Sequence, residues 1–188
     1  EEFLGADERE ADRMTRLVKD LLQLSRLDYN REKLNKKEIN VIEVIKGAVF
    51  KVDISLEAKN QNLKSLFVES NIEIFADKDR LEQVLINILS NAIKYTHEEG
   101  EITLDVVRTL EHAKIIIEDN GMGISEKEVP KLFDRFYRVD KARSRAMGGT
   151  GLGLSIAKQI VTEHGGNIEI TSEEGQGTTV TITLPLLE

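Results

Sequence analysis

The chain has 188 residues, 40% of them hydrophobic and 32% charged, enough apolar content to bury a core and too much for disorder. Lys plus Arg total 26 and Asp plus Glu 34, and the net charge of -8 argues against nucleic acid as a partner unless the bases cluster. The absence of Cys excludes disulfides, Cys-ligated zinc and thiol catalysis and fits a cytosolic setting.

From the N-terminus, residues 3 to about 29 read as one long helix, with Met14, Leu17, Leu21 and Leu24 on a seam that Val18 and Leu22 widen. So broad a stripe predicts burial, as one strand of a helical bundle or against its own domain. The chain opens mid-pattern on Glu1-Glu2-Phe3-Leu4, which reads as a piece of a longer protein. No apolar run approaches the roughly 18 residues of a membrane span, and no signal-peptide pattern is present. Asp28-Tyr29-Asn30 breaks the pattern and divides the chain into 1–30 and 31–188.

Lys36 to Val41 suggests a strand and Val41 to Lys59 a helix, followed by strands near Leu63–Val68 and Glu73–Ala76. Asp77 is an N-cap for a helix to about Tyr95, with Leu81, Val84, Leu85, Ile88 and Leu89 inward. Glu101–Arg108 and Lys114–Glu118 follow as strands, and a loop with short helices spans Asn120 to Gly149. Leu152 to His164 is a helix stopped by Gly165-Gly166. Asn167–Thr171 and Thr178–Leu184 are strands joined by Glu174-Gly175-Gln176-Gly177. Blocks of strands and helices predict an α+β two-layer sandwich, a mixed sheet packed on helices and preceded by the long helix.

Three segments can carry chemistry. Asn87, Asn91 and Lys94, at i, i+4 and i+7, share one helix face that offers an oxygen to a hard cation and donors to phosphate. Asp119-Asn120-Gly121-Met122-Gly123-Ile124 follows an apolar strand. A carboxylate there can accept from an exocyclic amine, while the glycines let backbone approach a flat ring, although a plain turn has the same composition. Gly148-Gly149-Thr150-Gly151-Leu152-Gly153-Leu154 opens a helix, and such a turn aims N–H groups and the positive dipole end at an anion. It is neither a Walker A loop nor a Rossmann turn.

The order of these segments, with Phe133-x-x-Phe136 before the last, resembles the ATP-binding catalytic domain of sensor histidine kinases, of the superfamily shared with gyrase, Hsp90 and MutL. The likeness covers residues 30–188. Phe133-Asp134-Arg135-Phe136-Tyr137-Arg138-Val139-Asp140-Lys141 and Gly149 to Leu154 are similar to the membrane-anchored WalK/PhoR type. Arg13 to Leu22 resembles the second helix of that family's dimerisation and phosphoacceptor hairpin.

The resemblance implies ATP and magnesium as cofactors, with Asn91 the metal ligand. Asn87, Lys94 and Tyr95 would line phosphates and ribose. Asp119 would read the adenine amino group, with Gly121, Gly123 and Ile124 at the pocket edge and Thr178 also touching adenine. Tyr137 and Arg138 would be lid residues, with Lys94 and Arg138 supplying catalytic charge. Gly149, Thr150, Gly151, Leu152, Gly153 and Leu154 would form the turn on which the lid closes. It further implies a homodimeric parent anchored in the bacterial membrane, this part facing the cytoplasm. Its partners would be a phosphoacceptor helix of the same or a paired chain and a response-regulator receiver domain.

The family's phosphoacceptor is a His followed by an acid on a helix. Of the 3 histidines, His97-Glu98 lies in a turn, His112 enters a strand and His164 closes a helix, and all three read as surface residues. The chain is therefore expected to bind ATP without labelling itself. Two rivals stand beside this reading. A clamp ATPase of the same superfamily would place a Glu base where Asn87 stands, and a nucleotide-binding scaffold would be catalytically silent. The basic residues Arg135, Arg138, Lys141, Arg143 and Arg145, within 134–149, are expected to form a lid ordered by bound triphosphate.

Overall fold

The computed structural model describes residues 2–28, 33–68, 71–139 and 149–187, with the side chains of the first helix described from 11 to 26. Lys141, Arg143, Arg145 and Gly148 lie outside the described residues. The first helix, α1, runs Glu2–Asp28. It is followed by β1 (Lys37–Asn40), α2 (Val41–Glu57), β2 (Asn62–Ser65), β3 (Glu73–Ala76) and α3 (Lys78–Tyr95). Then come β4 (Glu101–Arg108), β5 (His112–Asp119), a 3-10 turn at Val129–Lys131, α4 (Gly153–Glu163), β6 (Asn167–Glu173) and β7 (Gly177–Pro185).

Five strands form one sheet in the order β2-β4-β5-β7-β6, with β2 parallel to β4 and the other pairs antiparallel. The sheet is mixed, as expected, but β1 and β3 stand apart as a two-stranded antiparallel sheet. β2 also ends at Ser65, short of the expected Val68. Its pairing follows β4 from Glu101 to Leu104, and Leu66 adds one last bond to the Leu104 carbonyl.

Period-two alternation sets the core. Ala113, Ile115 and Ile117 of β5 and Val180, Ile182 and Leu184 of β7 face one way and are buried under the helices. Leu81, Val84, Leu85, Ile88, Leu89, Ala92 and Ile93 form the inward stripe of α3, and Ser155, Ile156, Ala157, Ile160 and Val161 that of α4. Asp77 caps α3 as its sequence position implies, accepting from the Arg80 N–H at 3.1 Å.

His164 is not a surface residue. It is 5% exposed, its Nε2 accepts from the Asp77 N–H at 2.9 Å and its Nδ1 lies 2.8 Å from the Ile160 carbonyl. The end of α4 therefore packs against the start of α3 through this ring. Of the other two histidines, His97 is exposed and His112 half-buried.

Helix α1 buries part of its stripe against its own domain. Leu24 is 2% exposed and Leu17 packs on the core, while Met14, Val18, Leu21 and Leu22 are exposed. Gln23 and Gln83 exchange two amide hydrogen bonds, at 2.8 and 2.7 Å, which fix α1 on α3. No helix among the described residues is long and apolar enough to cross a membrane.

Candidate functional site

Antiparallel register sets Asp119 of β5 opposite Thr178 of β7. Both continue the inward face of their strands, so a carboxylate and a hydroxyl stand where the pattern would otherwise bury apolar groups. Asp119 is 8% exposed. Its Oδ1 accepts from the Gly121 N–H at 2.9 Å. Burial is the largest influence on this carboxyl and raises its pKa above the ordinary 3.8, while the backbone N–H groups of Gly121 and Thr178 pull the other way.

The loop after Asp119 is braced from both sides. The Met122 N–H donates to the Tyr95 carbonyl at 3.2 Å and the Gly175 N–H to the Met122 carbonyl at 2.7 Å. Ser172 Oγ accepts from the Ile124 N–H at 2.8 Å and lies 2.9 Å from Thr178 Oγ1, which fixes that hydroxyl. Gly121 is required by space, because a Cβ there would lie 2.6 Å from the Tyr95 carbonyl oxygen.

The Asn face of α3 forms the next wall. Asn87 Nδ2 donates to the Gly153 carbonyl at 3.2 Å, tying the helix to the glycine-rich turn. Lys94 Nζ sits 5.1 Å from the centre of the Tyr95 ring. Gly151 has φ +75, and the Phe136 N–H donates to its carbonyl at 2.9 Å. The Arg138 guanidinium donates to the Gly149 carbonyl, closing the base of the expected lid. Phe133 is packed on the core with Lys158 of α4 over its ring at 4.9 Å.

Asn87, Asn91, Lys94, Tyr95, Asp119, Gly123, Ile124, Tyr137, Arg138, Gly149, Thr150, Gly151, Gly153, Leu154 and Thr178 line one cavity of about 460 Å³. Gly121 and Leu152 are buried behind that lining and support it. Ile117, Ile170 and Val180 add an apolar wall that the alternation of their strands already implied. Sequence reading missed Ser172, whose only signal was its place two residues before a hairpin, and Met122, enclosed between two glycines. It also missed Arg16 and Asp20 of α1, which line the cavity. Asp20 Oδ2 accepts from the Thr150 hydroxyl at 2.7 Å, a contact between residues 130 apart that periodicity cannot show.

Among the described residues no group of three or more His, Cys, Asp or Glu could hold a metal by itself. The Asn91 amide oxygen is the kind of single ligand that suits magnesium arriving with phosphate oxygens and keeping much of its water.

A sandwich with this buried carboxylate, this Asn face and this glycine turn defines a nucleotide-binding class, and residues 76–188 match the family model for histidine kinase-, DNA gyrase B-, and HSP90-like ATPases. The chain belongs to that family. Within it, the chain is 44% identical over 188 residues to the sensor histidine kinase WalK of Bacillus subtilis, covering 99% of this chain and 31% of that protein. It is 42% identical over 186 residues to a sensor protein kinase WalK of Staphylococcus aureus, covering 98% of this chain and 44% of that one. Among solved structures, the catalytic domain of histidine kinase ThkA superposes with a TM-score of 0.69 at 28% identity, over 81% of this chain and 96% of that one. Full-length ShkA in complex with AMPPNP shares the fold, with a TM-score of 0.83 at 23% identity over 98% of this chain and 38% of that one.

Proposed function

We propose that this chain binds Mg-ATP in the 460 Å³ cavity and, within a longer sensor kinase, presents the γ-phosphoryl group to a histidine. That histidine would sit on a phosphoacceptor helix of the same or a paired chain and pass the group to an aspartate of a response-regulator receiver domain. The observation that carries the reading is Asp119, a nearly buried carboxylate set by strand register at one end of a cavity whose other end is amide, ammonium and glycine turn. The 44% identity to WalK supports it, as does a structure of ThkA in complex with the response regulator TrrA, matched at 25% identity with a TM-score of 0.77.

Asp119 accepts a hydrogen bond from the adenine amino group, and Thr178 fixes the base edge. Tyr95, with Lys94 beside its ring, lies toward the ribose and phosphates. Asn91 would hold magnesium, which neutralises phosphate charge when bound. Lys94 and Arg138 add positive charge where the bond from the γ-phosphorus to its bridging oxygen breaks and the bond to an imidazole nitrogen forms, with ADP leaving. Catalysis of this kind is positioning and charge compensation, so the absence of a base on this face suits it. Asn87 cannot take a proton, and its amide is engaged by Gly153, which disfavours ATP hydrolysis as the purpose of the site.

The division into residues 1–30 and 31–188 follows from the same reading. Helix α1 would be the second helix of the hairpin, and its exposed Met14, Val18, Leu21 and Leu22 would meet the rest of a dimeric bundle. The parent would be anchored in the bacterial membrane with this part facing the cytoplasm. Calorimetry with Mg-ATP and γ-labelled ATP tests the proposal. Binding without acid-labile phosphate on His97, His112 or His164 is expected. Absence of ATP binding would overturn it.

A further inference from the structure

The end of α3 carries three residues of the site, Asn91, Lys94 and Tyr95, in its last turns. A helix C-terminus leaves carbonyls without partners. Here they are taken up by residues from outside the helix. Lys59 Nζ donates to the Ile93 carbonyl at 2.7 Å, to the Thr96 carbonyl, and more weakly to Lys94 at 3.4 Å. Gln61 Nε2 lies within hydrogen-bond distance of the carbonyls of Ile93, Thr96 and His97, at 3.0, 2.9 and 3.0 Å. Between these two residues, Asn60 turns the chain at φ 50, so Lys59 and Gln61 reach the same helix end from one tight turn. The turn is stitched back by the Glu99 N–H to the Lys59 carbonyl at 3.0 Å.

The far side of that helix end presses on the base pocket. The Tyr95 carbonyl receives the Met122 N–H, and Thr96, 1% exposed, backs Asp119. A Cβ on Gly121 would come within 3.0 Å of Thr96 Cα. The path from Lys59 and Gln61 through the carbonyls of residues 93–97 to the Asp119 turn is therefore continuous contact. A cation at the negative end of a helix dipole is also favourably placed, while burial lowers the Lys59 pKa and the nearby Glu98 carboxylate opposes that shift.

We infer that Lys59 and Gln61 are positioning residues for the nucleotide base, holding the end of α3 so that the Asp119 turn keeps its place. The inference rests on the ATP-binding reading above. Neither residue lines the cavity, so any effect on the base must pass through the helix end.

Calorimetry with Mg-ATP and Mg-GTP on Lys59→Met, Gln61→Leu and Lys59→Arg tests it, with folding followed by circular dichroism. Lys59→Met and Gln61→Leu should each reduce the ATP-over-GTP affinity ratio about tenfold, the scale of lost support behind a binding group. Lys59→Arg, which keeps the charge and the donors, should restore the ratio to within about twofold. Should Lys59→Met fail to fold, Lys59→Gln carries the same comparison. An unchanged ratio in a folded variant would overturn the inference, as would an equal loss for both nucleotides, which is general loosening. A wild-type chain that binds no ATP would instead remove the reading beneath it.

Discussion

At the end of the cavity proposed for the base, Asp119 and Thr178 are fixed by strand register, and Gly121, Ser172 and Thr96 close around them from three segments. At the end proposed for the phosphates, Asn91, Lys94 and Arg138 are half-buried and stand on a helix face and beside a glycine turn. The first set is braced by the chain's own hydrogen bonds and, on the proposed reading, would discriminate by shape and by a single acceptor. The second would offer charge and donors to oxygens that look alike from many directions, and so would contribute affinity with little selectivity.

That contrast can be broken most sharply at Asp119. Asp119→Asn should remove most of the preference for adenine over guanine, by about 2 kcal/mol or roughly thirtyfold in affinity ratio. Because burial raises the Asp119 pKa, its charged form costs folding stability above the ordinary 3.8, so the same variant should melt higher than the wild type. Calorimetry and thermal melting read the two effects. A lower melting temperature would mean that the carboxylate holds the turn rather than strains it.

Asn91→Ala strikes the other end. It should weaken ATP about tenfold in the presence of magnesium and far less without it, with the adenine-to-guanine ratio unchanged. Salt offers a gentler probe of the same division. Raising ionic strength from low to physiological should weaken ATP by about threefold and leave adenosine unchanged, since only the half-exposed charges are screened.

The smallest expected effect on binding comes from His164, at the opposite end of α3 from Lys94. Burial is the main cause that lowers its pKa below the ordinary 6.5, and protonation of Nε2 would cost the bond from the Asp77 N–H. The unfolded imidazole takes a proton near 6.5 and the folded one resists. Stability is therefore complete above that pH and is lost as pH falls from it toward the lower folded value. Denaturant titrations through this range should show the loss in the wild type and not in His164→Gln, while ATP-over-GTP selectivity stays constant in both.

Much of this was legible from residues alone. The α3 stripe and its Asp77 cap gave that helix from end to end, and the alternation of Ile102, Leu104 and Val106 gave β4. The Asn face was visible as spacing, and the glycine turn as an anion-binding helix start. Other features depend on contacts between distant segments. Thr178 faces Asp119 only through β5–β7 pairing, and the cavity wall from Arg16 and Asp20 needs α1 folded back on the domain. Lys59 and Gln61 carried no signal in the sequence, because the carbonyls they hold lie more than thirty positions away. His164 was misjudged because Gly-Gly marks a helix stop but does not say what covers it.

The pairing of Asp119 with Thr178 also constrains how this domain can change over evolutionary time. One residue inserted within β5 would reverse the parity of every position beyond it, turning Glu118 inward and Asp119 out of the cavity. A change in length near Gly177 meets a second obstacle, since a Cβ on that glycine would collide with the Asp119 carbonyl oxygen. The turn between β4 and β5, at Thr109–Glu111, lies at the far end of both strands, where Arg108 pairs with Ala113. Lengthening there shifts no inward residue. Descendants of this sequence should therefore vary freely in loop length at that end of the sheet and stay fixed in length within β5 up to Asp119 and between Ser172 and Thr178.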